Sequence, residues 1–312
     1  MKPVKTTRPD SARSIPPRSP HRFGAHLSIA GGMHNALLAA HRLKFATVQV
    51  FVKNQRQWRA PPLDPAVVDH WRELLDRPGF GPAVAHATYL INLASADKQL
   101  SAKSRDAFTI ELQRCQTLGI AYLVVHPGAA GEQRPALALR RVAEALNRIF
   151  DKHPDLTVMP LLETTAGQGT ALGRSFEELG AIIDSVAEPQ RVGVCIDTCH
   201  VFAAGFDIRD PQAYAAMIAT VADTVGVERI RCFHLNDSKH GLGSHRDRHE
   251  HIGKGAIGSA GFVNVLLDKR FRDVPMILET PKGDDPNEGK LDKLNIRRLR
   301  SLYARALKRQ RG

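Results

Sequence analysis

Between Gly24 and Thr280 the chain repeats one pattern eight times: a short apolar, mostly β-branched run, then a longer segment. The runs are GAHLSIA (24–30), TVQVFV (47–52), PAVAHA (82–87), YLVVHPG (122–128), TVMPLLET (157–164), VGVCIDT (192–198), IRCFHLND (230–237) and PMILET (275–280). The segments between them carry apolar residues at helical spacing, as in 65–77, 104–119, 136–150, 176–186 and 213–226. Asp64-Pro65, Ser175 and Asp210-Pro211 supply helix starts, and Gly119 and Gly226 supply stops. Continuous apolar strands alternating with helices are the mark of a parallel sheet covered by helices. Eight such units over a span close to the typical ~250 residues predict an α/β fold, a single-domain (β/α)8 TIM barrel. A doubly wound open sheet is the competing architecture, but no GxGxxG turn follows the first strand.

The barrel predicted for 23–285 is flanked by a Pro-, Arg- and Ser-rich extension at 1–22, expected to be disordered, and a basic helical segment at 286–312. Six Lys/Arg against one Asp in 1–22, and eight against none in 293–312, account for the net charge of +12 and leave the body near neutral. Such termini favour polyanions through non-specific, salt-sensitive contacts, although a solvated, solubilising tail is the bland reading of each alone. An organelle transit peptide competes for 1–22, against which its prolines argue. No apolar run approaches the ~18 residues of a membrane span, and the first 20 residues hold no secretory signal, so a cytoplasmic protein with no membrane partner is expected. The four cysteines form no CxxC pair and read as reduced, buried small hydrophobes.

The same eight runs place ionisable residues at their carboxyl ends: His86, His126, Glu163, Asp197 with His200 just beyond, His234 and Glu279. In a barrel these ends converge on the face that carries active sites. One strand-end histidine is more often structural than a ligand, but repeated apolar strands ending in carboxylate need a partner, a proton or a metal. Histidine and carboxylate without thiolate suits zinc or manganese with open positions. The loop after the seventh run adds Asp247 and His249, and its Gly241, Gly243, Gly253 and Gly255 allow tight folding over that face. His240, His245 and His251 are expected at the surface or behind the ligands.

The stretches NQRQWRAPPL (54–63), HATYLINL (86–93), KSRDAF (103–108), HPG (126–128), LLETTAGQGTALG (161–173), GVCIDTCHVFAAGFD (193–207), HLNDSKHGLGSHRDRHEHIGKGAIG (234–258) and LET (278–280) closely resemble the endonuclease IV family of zinc-dependent apurinic/apyrimidinic endonucleases. The resemblance implies three Zn2+ per chain, with Mn2+ acceptable at one or more positions. One ion would be held by His86, His126 and Glu163, a second by Glu163, Asp197, His234 and Glu279, a third by His200, Asp247 and His249. Glu163 and Glu279 would be catalytic, Glu163 as a bridge beside a nucleophilic water or hydroxide. Arg56, Tyr89 and Leu90 would occupy the gap in damaged duplex DNA, while Asn54, Gln55 and Gln57 offer neutral donors suited to phosphate oxygens; without the family Tyr89 and Leu90 read as packing residues at a strand end and Arg56 as a surface charge. The implied activity is hydrolysis 5′ to abasic sites, leaving 3′-hydroxyl and 5′-deoxyribose phosphate, plus trimming of blocked 3′ ends in base excision repair. The resemblance also implies a monomer, at the nucleoid in a bacterium. Ala87 departs from the family, where an acidic residue follows the first histidine, and predicts a weaker outer partner for His86. Sugar isomerases on the same barrel, and a non-enzymatic metal or DNA-damage module, are the competing readings; the Asp247/His249 pair and NQRQWR weigh against the first.

Overall fold

Strand alternation organises the molecule. The computed structural model describes residues 19–283 and 289–311. The elements run β1 (Arg22–Ala25), α1 (His34–Leu43), β2 (Gln49–Val50), α2 (Pro65–Leu75), β3 (Val84–His86), α3 (Lys98–Leu118), β4 (Tyr122–Val125), α4 (Pro135–Lys152), β5 (Met159–Glu163), α5 (Phe176–Asp184), β6 (Gly193–Asp197), α6 (Thr198–Ala204), α7 (Pro211–Thr224), β7 (Ile230–His234), β8 (Asp237–Ser238), β9 (His249–Glu250), α8 (Gly258–Leu267), β10 (Pro275–Leu278) and α9 (Lys290–Arg311). Eight of the strands form one parallel sheet in the order β1-β10-β7-β6-β5-β4-β3-β2, and β8 with β9 makes a small antiparallel pair. The ring closes between its outermost members, where His26 bridges Gln49, Leu27 N–H donates to Gln49 O (2.9 Å) and Ala46 N–H to Phe23 O (2.8 Å). Gly24 sits at that seam: a Cβ there would lie 2.2 Å from Thr47 O, so only glycine lets the two chains approach. The expected TIM barrel is the fold.

Val84, Val124, Leu161, Cys195, Cys232 and Ile277 form a separate buried cluster, one residue from each of six strands. This is a filled layer of the barrel interior. The intervening residues, such as Ala85, Leu123, Leu162, Ile196 and Phe233, join the larger core between strands and helices. All four cysteines are buried and free.

Helix starts follow the sequence signals: Asp64, Ser175 and Asp210 accept backbone N–H bonds as N-caps, and Gly119 ends α3 in the left-handed region at φ 70°. The first strand differs from expectation. It begins at Arg22, within the segment assigned to the disordered extension, because His21 is buried, donates from Nε2 to Leu266 O (2.9 Å) and meets Tyr303 edge-on. The rest of that expectation, residues 1–18, lies outside the described residues. α3 also starts earlier than predicted, at Lys98, capped by Asp97. α9 packs on α8 and β1. Among the described residues no helix is long and apolar enough to cross a membrane.

Candidate metal centre

Side chains in a strand repeat every second residue. Moving two residues on from the interior layer therefore leads from Val84 to His86, Val124 to His126, Leu161 to Glu163, Cys195 to Asp197, Cys232 to His234 and Ile277 to Glu279. The period that fills the barrel thus also assembles the ring above it. Two outlying elements complete the ring. α6 begins immediately after β6 and turns His200 back over Asp197, whose Oδ1 accepts the His200 backbone N–H (3.0 Å). The loop closed by β8 and β9 brings Asp247 and His249 over the same face. Gly255 makes this closure feasible, since a Cβ there would collide with Ser238 O at 2.2 Å.

Glu163 lies at the centre, fully buried. Its Oε2 faces His86 Nε2 at 3.1 Å and His126 Nε2 at 3.0 Å, while its Oε1 faces His234 Nδ1 at 2.7 Å. His234 Nδ1 also faces Glu279 Oε2 at 3.3 Å and Asp197 Oδ2 at 3.9 Å. On the other side His200 Nε2 and His249 Nε2 face Asp247 Oδ1 at 3.1 and 3.3 Å, and His249 Nε2 faces Asp197 Oδ2 at 3.5 Å. Asp197 therefore stands between two groups, whereas the sequence reading assigns it to one.

Three observations fit these donors to metal ions. The sets His86/His126/Glu163, Glu163/Asp197/His234/Glu279 and Asp197/His200/His249 each bring their donor atoms within 4.8 Å of one another. The Nε2 atoms of His200 and His249 are buried and make no hydrogen bond, their approach to Asp247 notwithstanding. Finally, the remote ring nitrogens of four of the five histidines are held: His86 Nδ1–H donates to Ala87 O (2.7 Å), His200 Nδ1–H to Thr164 O (2.7 Å), His249 Nδ1–H to Glu279 O (3.2 Å) and His234 Nε2–H to Gln49 Oε1 (2.8 Å). Each such bond leaves the inward nitrogen as the lone-pair donor, the usual means of orienting a histidine ligand. Cys199 also lies near Asp247 and His249, but burial raises its thiol pKa and Sγ points to Arg248 O, so it remains a poor ligand.

The electrostatics carry the same signature. Burial alone would raise the Glu163 carboxyl, yet His234 and His126 hold it well below the usual range. Against burial, Asp197 and Asp247 raise His200 to about 10, and the same two carboxylates raise His249 to about 9. Protons on these histidines compensate the carboxylates in the metal-free chain, so metal ions must displace them on entry.

Gln49 and His26 were not singled out in the sequence. Gln49 Nε2 donates to Glu279 Oε1 (2.6 Å) and His26 Nδ1 (3.0 Å) while its Oε1 receives His234. Asn236 likewise donates to Asp197 Oδ2 (2.6 Å) and accepts the Glu279 backbone N–H (2.8 Å). The available signal was the period-two register of the first and second strands, which puts His26 and Gln49 in the ring. The expected weakening at Ala87 has no basis in the geometry: the partner of His86 is a backbone carbonyl that any residue at 87 would offer.

Asn54, Gln55, Arg56 and Gln57 are exposed on the loop after β2. Tyr89 is 61% exposed beside His86 and His126, with ring centroids at 5.2 and 5.7 Å, and Leu90 next to it is half-buried. A cavity of about 270 Å³ opens here, lined among others by Tyr89, His126, Asn92 and Thr165. His251 pairs with Asn295 Nδ2 (3.0 Å) and His245 Nδ1–H donates to Ala166 O (3.0 Å); neither joins the ring.

Comparison with known proteins points the same way. Residues 37–302 match the family model described as xylose isomerase-like TIM barrel. A protein of Chloroflexus aurantiacus named probable endonuclease 4 is 47% identical over 281 residues, 90% of this chain and 98% of its own. A probable endonuclease 4 of Geobacter sulfurreducens is 45% identical over 289 residues, 93% of this chain and 97% of its own. The crystal structure of endonuclease IV from Thermus thermophilus superposes with a TM-score of 0.78 at 37% identity, covering 90% of this chain and 98% of that one.

Proposed function

The chain belongs to the endonuclease IV family within the xylose isomerase-like TIM barrels, and we propose that it is a DNA-repair hydrolase that cuts the phosphodiester 5′ to abasic sites in duplex DNA. The products are a 3′-hydroxyl and a 5′-deoxyribose phosphate, and the same site trims blocked 3′ ends. The observation that carries this reading is Glu163, whose two oxygens face different histidine groups in a ring of nine donors open to an exposed aromatic loop.

We assign His86, His126 and Glu163 to one ion, Glu163, Asp197, His234 and Glu279 to a second, and His200, Asp247 and His249 to a third, all zinc, with manganese acceptable at one or more. Bound there, such ions would lower the pKa of water toward about 7 and offset charge on the attacking and departing oxygens. The residues do the rest. Four carboxylates would fall short of neutralising three divalent ions, so the loaded cleft would be net positive and draw phosphate in. Glu163 and Glu279 flank His234, and Glu279 keeps its geometry through Gln49, His26 and the Asn236 side chain. Tyr89, Leu90 and Arg56 fill the gap at the missing base and hold the sugar out of the stack. Asn54, Gln55 and Gln57 offer neutral donors to flanking phosphates. Catalysis rests with the barrel, 23–285, in a monomer acting on cytoplasmic, nucleoid DNA, while the basic termini add non-specific affinity.

The test is incision of a labelled duplex carrying one tetrahydrofuran abasic analogue, by metal-loaded and chelator-stripped protein, with bound zinc counted in parallel. The expected result is a single cut immediately 5′ to the analogue, lost on stripping, with about three ions per chain. No cut by fully loaded protein would remove the assignment and turn attention to sugar isomerisation. Trimming is checked separately with a nicked duplex bearing a 3′-phosphate.

A further inference from the structure

A buried ion pair lies away from the metal ring. Lys53 and Glu111 are both buried, at 3% and 0% exposure, with Nζ and Oε1 3.2 Å apart. Fully buried lysine and glutamate are rare unless paired, and a buried pair is weak as a source of stability. Its partners suggest another purpose. Lys53 Nζ donates to Gln57 O (2.6 Å), on the loop that carries Arg56. Glu111 accepts from Thr88 N–H (3.1 Å) and Thr88 Oγ–H (3.0 Å), directly before Tyr89 and Leu90. Lys53 also reaches Thr88 Oγ1 at 3.4 Å, so the two charges and one hydroxyl form a closed network. Every strong donor and acceptor in it ends on one of the two loops or on α3.

α3 is the common mount. Besides Glu111 it supplies Arg114, whose Nε–H donates to Val52 O (2.7 Å) and Nη1–H to Pro61 O (2.7 Å), at either end of the 53–60 segment. Lys103 of the same helix lies 4.4 Å from the Trp58 ring centroid. The segment bearing Arg56 is thus held to α3 at both ends and at Trp58, while the segment bearing Tyr89 is held to it through Thr88.

We infer that Lys53 and Glu111 are positioning residues that fix the loop bearing Arg56 relative to the loop bearing Tyr89 and Leu90, so that both enter damaged DNA as one rigid unit. The inference rests on the proposed action on abasic DNA. Neither residue touches the metal ring in the structure, so the pair governs how the duplex is gripped and unstacked, and leaves the bond-breaking site intact. Misplacing groups by about 1 Å is enough to lower activity substantially when the chemistry itself is untouched.

The variant that separates this from simple structural support is Lys53→Met with Glu111→Leu, which removes both charges at similar volume and leaves no buried ion unpaired. Holoprotein is titrated against a duplex with one tetrahydrofuran site and 2-aminopurine opposite it. The fluorescence rise on unstacking, single-turnover incision and zinc content are read together. Expected are unchanged zinc content, a half-saturating protein concentration raised about tenfold, a smaller fluorescence rise, and a saturated cutting rate within about twofold of the parent. Equal half-saturation and equal fluorescence in variant and parent would overturn the inference, as would a loss confined to the saturated cutting rate. If the parent itself does not cut, the functional reading fails, while the fluorescence comparison still judges the clamp. Should the double variant not fold, Thr88→Val, which deletes only the shared hydroxyl, carries the same expectation at reduced size.

Discussion

Gln49 holds together more of the site than its sequence context suggests. It fixes the tautomer of His234 through Oε1 and binds Glu279 and His26 through Nε2. Gln49→Leu is expected to lower metal affinity by about 10–100-fold, as loss of an outer ligand partner does, and incision at limiting zinc with it. Zinc titration with a competing chelator checks this, and unchanged affinity would contradict the assigned tautomer. His21 offers a cleaner titration because it lies far from the ring in the fold. Burial lowers its pKa from about 6.5, opposed by the Leu266 carbonyl and reinforced by Arg272. The unfolded chain therefore takes up the proton first on acidification: the stabilisation is present in full above about 6.5 and is lost as pH falls through the folded value. His21→Gln, which keeps an amide donor for Leu266 O without the titration, should show a shallower loss of melting temperature than the parent between about pH 7 and 5. Six of the nine ring residues were legible in sequence because strand-end carboxylates and histidines follow apolar runs, whereas His200, Asp247 and His249 stood out only as polar residues in the segments beyond those ends. Gln49 and His26 were not, since a neutral amide inside a strand and a histidine in the middle of the run GAHLSIA carry no such contrast.

Among the elements, the eight barrel strands were found through their apolar runs, while the missed or shifted pieces, β8 and β9 among them, have no plain local signal. α8 starts at Gly258 with no side-chain cap, so it has no start signal. α6 is seven residues long and capped by Asp197, a residue whose chemistry conceals its role as a helix start. β1 begins inside a stretch of basic residues and prolines because His21 finds a pocket, a tertiary effect that local composition cannot encode. α9 shows what an appended helix can do. Its Asn295 accepts from Ile252 N–H (3.1 Å) and donates to Thr280 Oγ1 (3.0 Å), and Asp292 receives Lys282 Nζ at 2.8 Å, so the helix braces the loop after His249 and the strand end after Glu279. Asn295→Leu strands those groups, with an expected loss of about 1–3 kcal/mol, read as a lower urea midpoint at unchanged m-value. A midpoint equal to the parent's would mean that water replaces the amide.

At the scale of the molecule, a near-neutral barrel carries its excess charge at the two ends of the chain. DNA affinity should therefore fall steeply with salt, and removing residues 1–18 should flatten the plot of log K against log salt by about 0.9 for each phosphate that the terminus no longer neutralises, with zinc content and the position of the cut unchanged. An unaltered slope would show that this terminus never meets the backbone. The barrel also closes at an informative place. β1 and β2 meet through a short seam, and the residue on the β2 side of its bridge is Gln49, which at the same time anchors His234 and Glu279. Where a strand residue only fills the barrel, it can change as long as its apolar pairing survives. At the seam, inheritance must satisfy two demands with one side chain, so mutations that would elsewhere be mended by a neighbouring change have no local remedy. A lineage of such barrels is expected to wander in its helices and hold still at this join.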